Sequence, residues 1–202
     1  ICNSSDTEMT SAIKTCNDNK VYLAQFFRVI SQENSADIYQ AAKDSDYYIG
    51  AVHEDEPANG EALVNILLDK GDRDIGLIGW EQGDATWLGR WEGYKAGVDK
   101  WNEAHPDDPA QLSEPQYAGT TSEGGSKAAE ALIAADPNLD ALIPAGGGGD
   151  PLQGAIAAVE RAGKTQDIDI VSTDFLPDLG DRLENGSMAG ESGGHYCDPL
   201  IA

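Results

Sequence analysis

The chain has 202 residues, 40% of them hydrophobic, enough for the core of one large domain or two small ones. Its 36 acidic against 13 basic side chains give a formal charge of -23, which repels nucleic acid and anionic lipid and so disfavours polyanion binding. No apolar run approaches the roughly 18 residues a membrane span needs, and no basic-then-apolar leader opens the chain.

From the N-terminus, residues 1–27 read as the end of a strand, a helix from Asp6 or Thr7 to Asn17, and a strand over 21–27. One such unit cannot bury both faces of its own sheet, so a further N-terminal part is expected. Cys2, Cys16 and Cys197 are too few and too widely spaced for a zinc site or a disulfide scaffold. Cys2 and Cys16 read as free thiols, with a bridge between them as the alternative. Residues 29–46 are polar, with one weak helical pattern in "SADIYQAAKD", and the main domain boundary is expected near 46–56.

Beyond that boundary, short apolar runs alternate with amphipathic stretches. "YYIGAV" (47–52), "DIGLIG" (74–79), "LDALIPA" (139–145) and "DIDIVS" (167–172) suit strands buried on both faces of a parallel sheet. Helical periodicity occupies 57–71, 86–104, 122–135 and 150–163. Ser122 with Glu123 opens one helix and Asp150 with Pro151 at the first helical position opens another, while Gly71 and Gly163 close two. "HPDDPAQLSEP" (105–115) holds three prolines and no periodicity, and reads as a loop leading to a short strand, "QYAG". The class is α/β: a Rossmann-like, mostly parallel sheet flanked by helices.

The run "AGGGGDPLQG" (145–154) fails as a nucleotide motif. No Lys-Ser/Thr follows its last glycine, and the Gly-x-Gly-x-x-Gly spacing reaches Pro151 or Leu152. Asp150 would also place a carboxylate where phosphate must sit, and it suits a helix cap with Gln153 as its reciprocal partner. What remains is a turn at the carboxyl end of a parallel strand, where open α/β sheets bind ligands. Catalytic motifs are absent: His53, His105 and His195 lie in separate contexts, with no Gly-x-Ser-x-Gly elbow and no His-Glu-x-x-His. No metal site and no cofactor are expected.

Planar polar groups are better placed. Trp80 and Gln82 come just after the strand "DIGLIG", and Trp87, Arg90, Trp91 and Tyr94 share a helical face at i, i+3, i+4 and i+7. Half of such a stripe belongs to the core. Arg90 is the arginine within it, able to fork two hydrogen bonds to vicinal hydroxyls or a carboxylate. Asp174 closes the strand "DIDIVSTD", again at a carboxyl end. Carboxylate, guanidinium and a flat aromatic face are what a neutral polyhydroxylated ring requires.

In order along the chain, "YYIGAVHEDEPANGEALVNILLDKG", "IGLIGW...WLGRWEGYKAGV", "DALIPAGGGGDPLQGAIAAVERAG" and "DIDIVSTDFLPD...LENGSMAG" resemble the type I periplasmic sugar-binding proteins of the ribose and galactose group. These are solute receptors of ABC transporters and share their fold with the effector domains of lac-repressor-type regulators. The resemblance implies two Rossmann-like lobes that close over a ligand. Residues 1–46 would form the end of the first lobe, 47–192 the second, and 193–202 the start of the return crossing, with both ends of the plan missing.

The same resemblance transfers ligand contacts to Arg90, through "GRWEGYK", and to Asp174, through "IVSTD". Arg28 matches a first-lobe arginine, although Phe27 stands where an aspartate is usual. Gly148 falls where the family often carries Asn or Asp, and Gly194 or His195 stands at the return crossing where a polar residue is common. It further implies a monosaccharide ligand, an ABC permease as membrane partner, a monomer that is not an enzyme, and an extracytoplasmic location, in the periplasm or as a lipoprotein bearing a signal peptide. A sugar-sensing effector domain of a transcription regulator is the alternative.

Overall fold

A computed structural model describes residues 6–26, 35–146, 150–173 and 178–193. The chain divides into two units, one running from the N-terminus to Asp55 and the other from Glu56 to Gly193. The division leaves residues 47–52 with the first unit, because their strand pairs there.

In the first unit, helix α1 (Asp6–Asp18), strand β1 (Leu23–Phe26), helix α2 (Ala36–Lys43) and strand β2 (Tyr48–Val52) succeed one another. The two strands pair in parallel with one residue of irregularity between Leu23 and Ala24. Met9 and Ile13 of α1 and Ile38 of α2 form a small buried core, against which Leu23 and Tyr48 pack. α1 stops where Lys20 takes a left-handed φ of 56° and the Val21 amide returns to the Cys16 carbonyl at 2.9 Å. Cys16 carries a free thiol, and Cys2 lies outside the described residues.

The second unit comprises α3 (Glu56–Lys70), β3 (Asp74–Gly79), α4 (Ala85–Ala104), β4 (Gln111–Leu112), β5 (Gln116–Tyr117), α5 (Ser122–Ala135), β6 (Ala141–Pro144), α6 (Asp150–Arg161), β7 (Asp169–Thr173), α7 (Leu179–Asn185) and β8 (Gly190–Ser192). The strands run in the order β4-β3-β6-β7-β8, with β5 also on β3, and every pairing is parallel.

Side chains alternate across the pleat, so each strand feeds two cores. Ile75, Leu77, Ala141, Ile143 and Val171 face Leu63, Val64, Leu67 and Leu68 of α3 and Trp87, Tyr94 and Val98 of α4. Ile78, Leu142 and Ile170 face Ala128, Ala129 and Leu132 of α5 and Leu152, Ala155, Ile156 and Val159 of α6. This is the three-layer arrangement that the continuous apolar runs imply.

Two details differ from the expectation set by sequence. The stretch 105–115 is not loop throughout: β4 forms within it, the Gln111 amide reaching the Arg73 carbonyl at 2.7 Å and Ser113 reaching that of Ile75 at 2.9 Å. A two-residue strand is too short to show alternation. α7 and β8 are also additional, and equally short. The glycine stops hold, Gly71 and Gly163 having φ of 110° and 69°.

The helices pair through bare backbone. A methyl group on Gly93 would lie 2.0 Å from the Pro57 carbonyl oxygen, and one on Gly60 would lie 2.1 Å from that of Arg90. Across the sheet the device repeats: a methyl on Gly125 would lie 2.1 Å from the Pro151 carbonyl oxygen, and one on Gly154 would lie 1.9 Å from that of Ser122. Gly93→Ala therefore forces the α3/α4 pair apart, and should cost about 3 kcal/mol of stability in urea unfolding. Gly180→Ala, where no atom lies within 4 Å, should change stability by less than about 1 kcal/mol.

The amino edge of the sheet is acidic. Asp140 accepts the amides of Arg73 and Asp74 at 2.8 and 2.9 Å, fixing β6 beside β3. Asp72 is buried nearby, and its carboxyl is raised to about 7 by burial first and then by the carboxylates of Asp169 and Asp140, with Lys70 opposing. The folded form thus holds a proton that the unfolded chain releases near about pH 3.9. Stability from this group is present below that pH and is lost as pH rises from about 4 through about 7. Asp72→Asn should flatten this part of the profile of stability against pH, measured by urea unfolding.

Candidate functional site

The site is built at the carboxyl edge of the second unit's sheet, from the end of β3, the helix after it and the end of β7. α4 starts cleanly because Asp84 accepts the Trp87 amide at 2.9 Å. Its first turn is then seated by Trp87, whose indole slides under Gly79: a methyl group there would come within 2.7 Å of the ring. Trp87 and Tyr94 are buried, with ring centroids 5.9 Å apart. Burial holds the Tyr94 phenol well above its ordinary pKa, so it is neutral. Trp91 lies at the margin with the Lys95 ammonium over its ring. Of this stripe, Trp87 and Tyr94 belong to the apolar core, Arg90 is buried with them and Trp91 is partly buried.

Arg90 is set into this face with only 4% of its surface exposed. Its Nε donates to Glu56 Oε2 at 2.6 Å, and Nη2 lies 3.5 Å from Glu56 Oε1. Nη1 donates to Thr173 Oγ1 at 2.5 Å. The guanidinium carbon sits 5.2 Å from the centroid of the half-buried Trp80 ring. Arginine, carboxylate, hydroxyl and indole from α3, α4, β7 and the β3–α4 turn thus form one cluster. Its partners at the strand ends place it where an open parallel sheet presents ligands.

Of the residues singled out in the sequence, Arg90 and Trp80 are brought together. Gln82 is exposed in the β3–α4 turn and Asp150 is exposed at the start of α6; neither bonds to Arg90. Arg28, Gly148, Asp174 and His195 lie outside the described residues. Thr173, the neighbour of Asp174, carries the end of β7 to Arg90. His53 and His105 make only local contacts, to the Glu54 carbonyl and the Trp101 carbonyl. Among the described residues no three His, Cys, Asp or Glu side chains are arranged to hold a metal ion.

Glu56 and Thr173 are not evident from sequence. Glu56 stands in the acidic run "HEDEP" just ahead of the periodic stretch, where a carboxylate reads as favourable to a helix N-terminus and nothing more. Its one available signal is that the residue opens a helix packed against the helix bearing the isolated arginine. Thr173 is an ordinary strand residue by sequence.

The sequence matches the family described as a periplasmic binding protein domain over residues 1–193, and the chain belongs to that family. Solved structures share its fold. An ABC transporter periplasmic solute binding protein of Actinobacillus succinogenes with bound D-allose is 16% identical with a TM-score of 0.73, covering 93% of this chain and 62% of its own. A solute binding protein of Agrobacterium vitis with bound D-fucose is 17% identical with a TM-score of 0.68, covering 89% and 56%. A Mycobacterium smegmatis protein in complex with β-D-fucofuranose is 22% identical at a TM-score of 0.68, covering 92% and 66%. The chain thus spans 56–62% of the length of the Agrobacterium and Actinobacillus proteins. No curated protein matches the sequence.

Proposed function

We propose that the protein is the solute-binding receptor of an ABC transporter, taking a small polar ligand, a monosaccharide, by non-covalent binding without chemical conversion. The observation that carries this reading is Arg90, a buried arginine held at the carboxyl edge of a parallel sheet beside an indole, in a chain of the periplasmic binding protein family. A guanidinium presents its donors in a rigid plane suited to adjacent sugar hydroxyls, and Trp80 offers an apolar face for the C–H side of a ring. Asp174, directly after Thr173, is proposed to accept hydroxyl protons beside it. Arg28, Gly148 and His195 are secondary candidates supported by the family resemblance, and Gln82 and Asp150 are candidates from their places after the strands at 74–79 and 139–145.

A receptor of this class works by binding one conformation better than another, and a membrane permease reads the difference. An extracytoplasmic location accords with that role. The support is the family match together with relatives whose bound molecules are monosaccharides.

The intact receptor should bind at least one member of a monosaccharide panel of D-allose, D-fucose, D-galactose, D-glucose and D-ribose in calorimetry. Arg90→Ala and Asp174→Ala should each weaken that binding by about 100-fold, the scale of losing a charge-assisted hydrogen bond. Unchanged affinity in both variants overturns the assignment of the site.

A further inference from the structure

The carboxylate that Arg90 meets is supplied by the protein. Glu56 opens α3, and its carboxylate, 10% exposed, lies along the Nε edge of the guanidinium with Nε–Oε2 at 2.6 Å. Both groups stand on helices whose separation is fixed by glycine. A methyl on Gly89 would fall 2.9 Å from Glu56 Cβ, and the Gly60 and Gly93 contacts hold the same two backbones together. Thr173 secures Nη1 from a third element. The guanidinium is therefore oriented by rigid secondary structure before any ligand arrives.

We propose that Glu56 is the positioning residue of the Arg90 site: it orients the guanidinium and supplies the opposing charge, so that Arg90 selects by hydrogen bonding to uncharged hydroxyls and disfavours acidic sugars. The inference rests on the monosaccharide-receptor reading above. A buried arginine without a counter-charge draws a carboxylate or phosphate from the ligand, because an unpaired ion in an apolar setting is costly. With Glu56 alongside, that demand is met internally. An added ligand carboxylate then meets a site that already holds its anion, and like charges at such range repel. What the site keeps is direction, since a guanidinium pinned by Glu56 along its Nε edge and by Thr173 at Nη1 is held in a fixed attitude.

The test uses the intact receptor, its Glu56→Gln and Glu56→Asp variants, and two probe pairs: D-galactose with D-galacturonate, and D-glucose with D-glucuronate. In the wild type the neutral sugar of the binding pair should be preferred by at least 100-fold. In Glu56→Gln that preference should fall by at least tenfold, the neutral sugar weakening while the uronate gains. Glu56→Asp, which keeps the charge and shortens the reach, should restore the preference without restoring full affinity for the neutral sugar. Equal weakening of both probes, with the preference intact, would show a merely structural role and overturn the proposal, as would affinities that do not change.

A ligand-free arm separates this proposal from the reading on which it rests. The Arg90 Nε–H proton, followed by side-chain nitrogen NMR, should exchange slowly in the wild type and in Glu56→Asp. It should exchange at least tenfold faster in Glu56→Gln. If no sugar of the five-member panel binds while the exchange shows this pattern, the sugar reading fails and the positioning role stands. Slow exchange in Glu56→Gln refutes the positioning role whatever binds. Should Glu56→Gln fail to fold, the Glu56→Asp comparison decides: fast Nε–H exchange in that variant, or a lost preference, refutes it.

Discussion

The approach of α3 to α4 is the constraint on which the rest of the second unit depends. Two helices carrying ordinary side chains at their contact stand about 8–10 Å apart, and closer approach requires that one surface be stripped. Here Gly60, Gly89, Gly93 and Gly97 strip it: the carbonyl oxygens of Arg90 and Pro57 occupy the space at Gly60 and Gly93, and Glu56 Cβ and Val64 Cγ1 that at Gly89 and Gly97. The spacing of four residues along α4 aligns the last three of these in one stripe, and at Gly60 and Gly93 backbone meets backbone directly. Gly125 and Gly154 impose the same condition on α5 and α6 at the other face. The sheet is clamped between two pairs of helices that have little freedom to slide.

Such closeness turns an energetic liability into a usable group. An arginine and a glutamate buried together lose hydration that their mutual attraction only partly recovers, and apolar replacements are often as stable or more so. What the pair contributes is geometry. Glu56 and Thr173 engage different edges of one guanidinium, and Trp80 lies beside it, so Arg90 is held by contacts from three directions. Trp87, beneath Gly79, and Tyr94 close the apolar side of the same helix and keep water from the stem.

The parallel sheet and its flanking helices are legible in the sequence because each element repeats a pattern over enough residues to be distinctive. The run Asp74–Gly79 can be placed to the residue, and the helix of residues 122–135 likewise. β4, α7 and β8 are not legible, since elements of two to seven residues carry less than one or two periods. Arg90 stands out as the charged residue in an aromatic stripe, and Trp80 by its place after a strand. Glu56 does not, because its importance depends on a neighbour 34 positions away in sequence and on a closeness of packing that glycine permits without announcing. Residues 47–52 look, by sequence, like the first strand of the second lobe. Local pattern marks a strand but says nothing of its partner, and the pairing with β1 assigns this one to the first unit.

The carboxylate of Asp140 sits at the opposite end of the sheet from Arg90, spanning the amides that open β3. It sets the register of β3 and β6 from the amino side, before the strands reach the turns at their other ends. The framework is thus aligned from one edge of the sheet, while the cluster around Arg90 stands at the other.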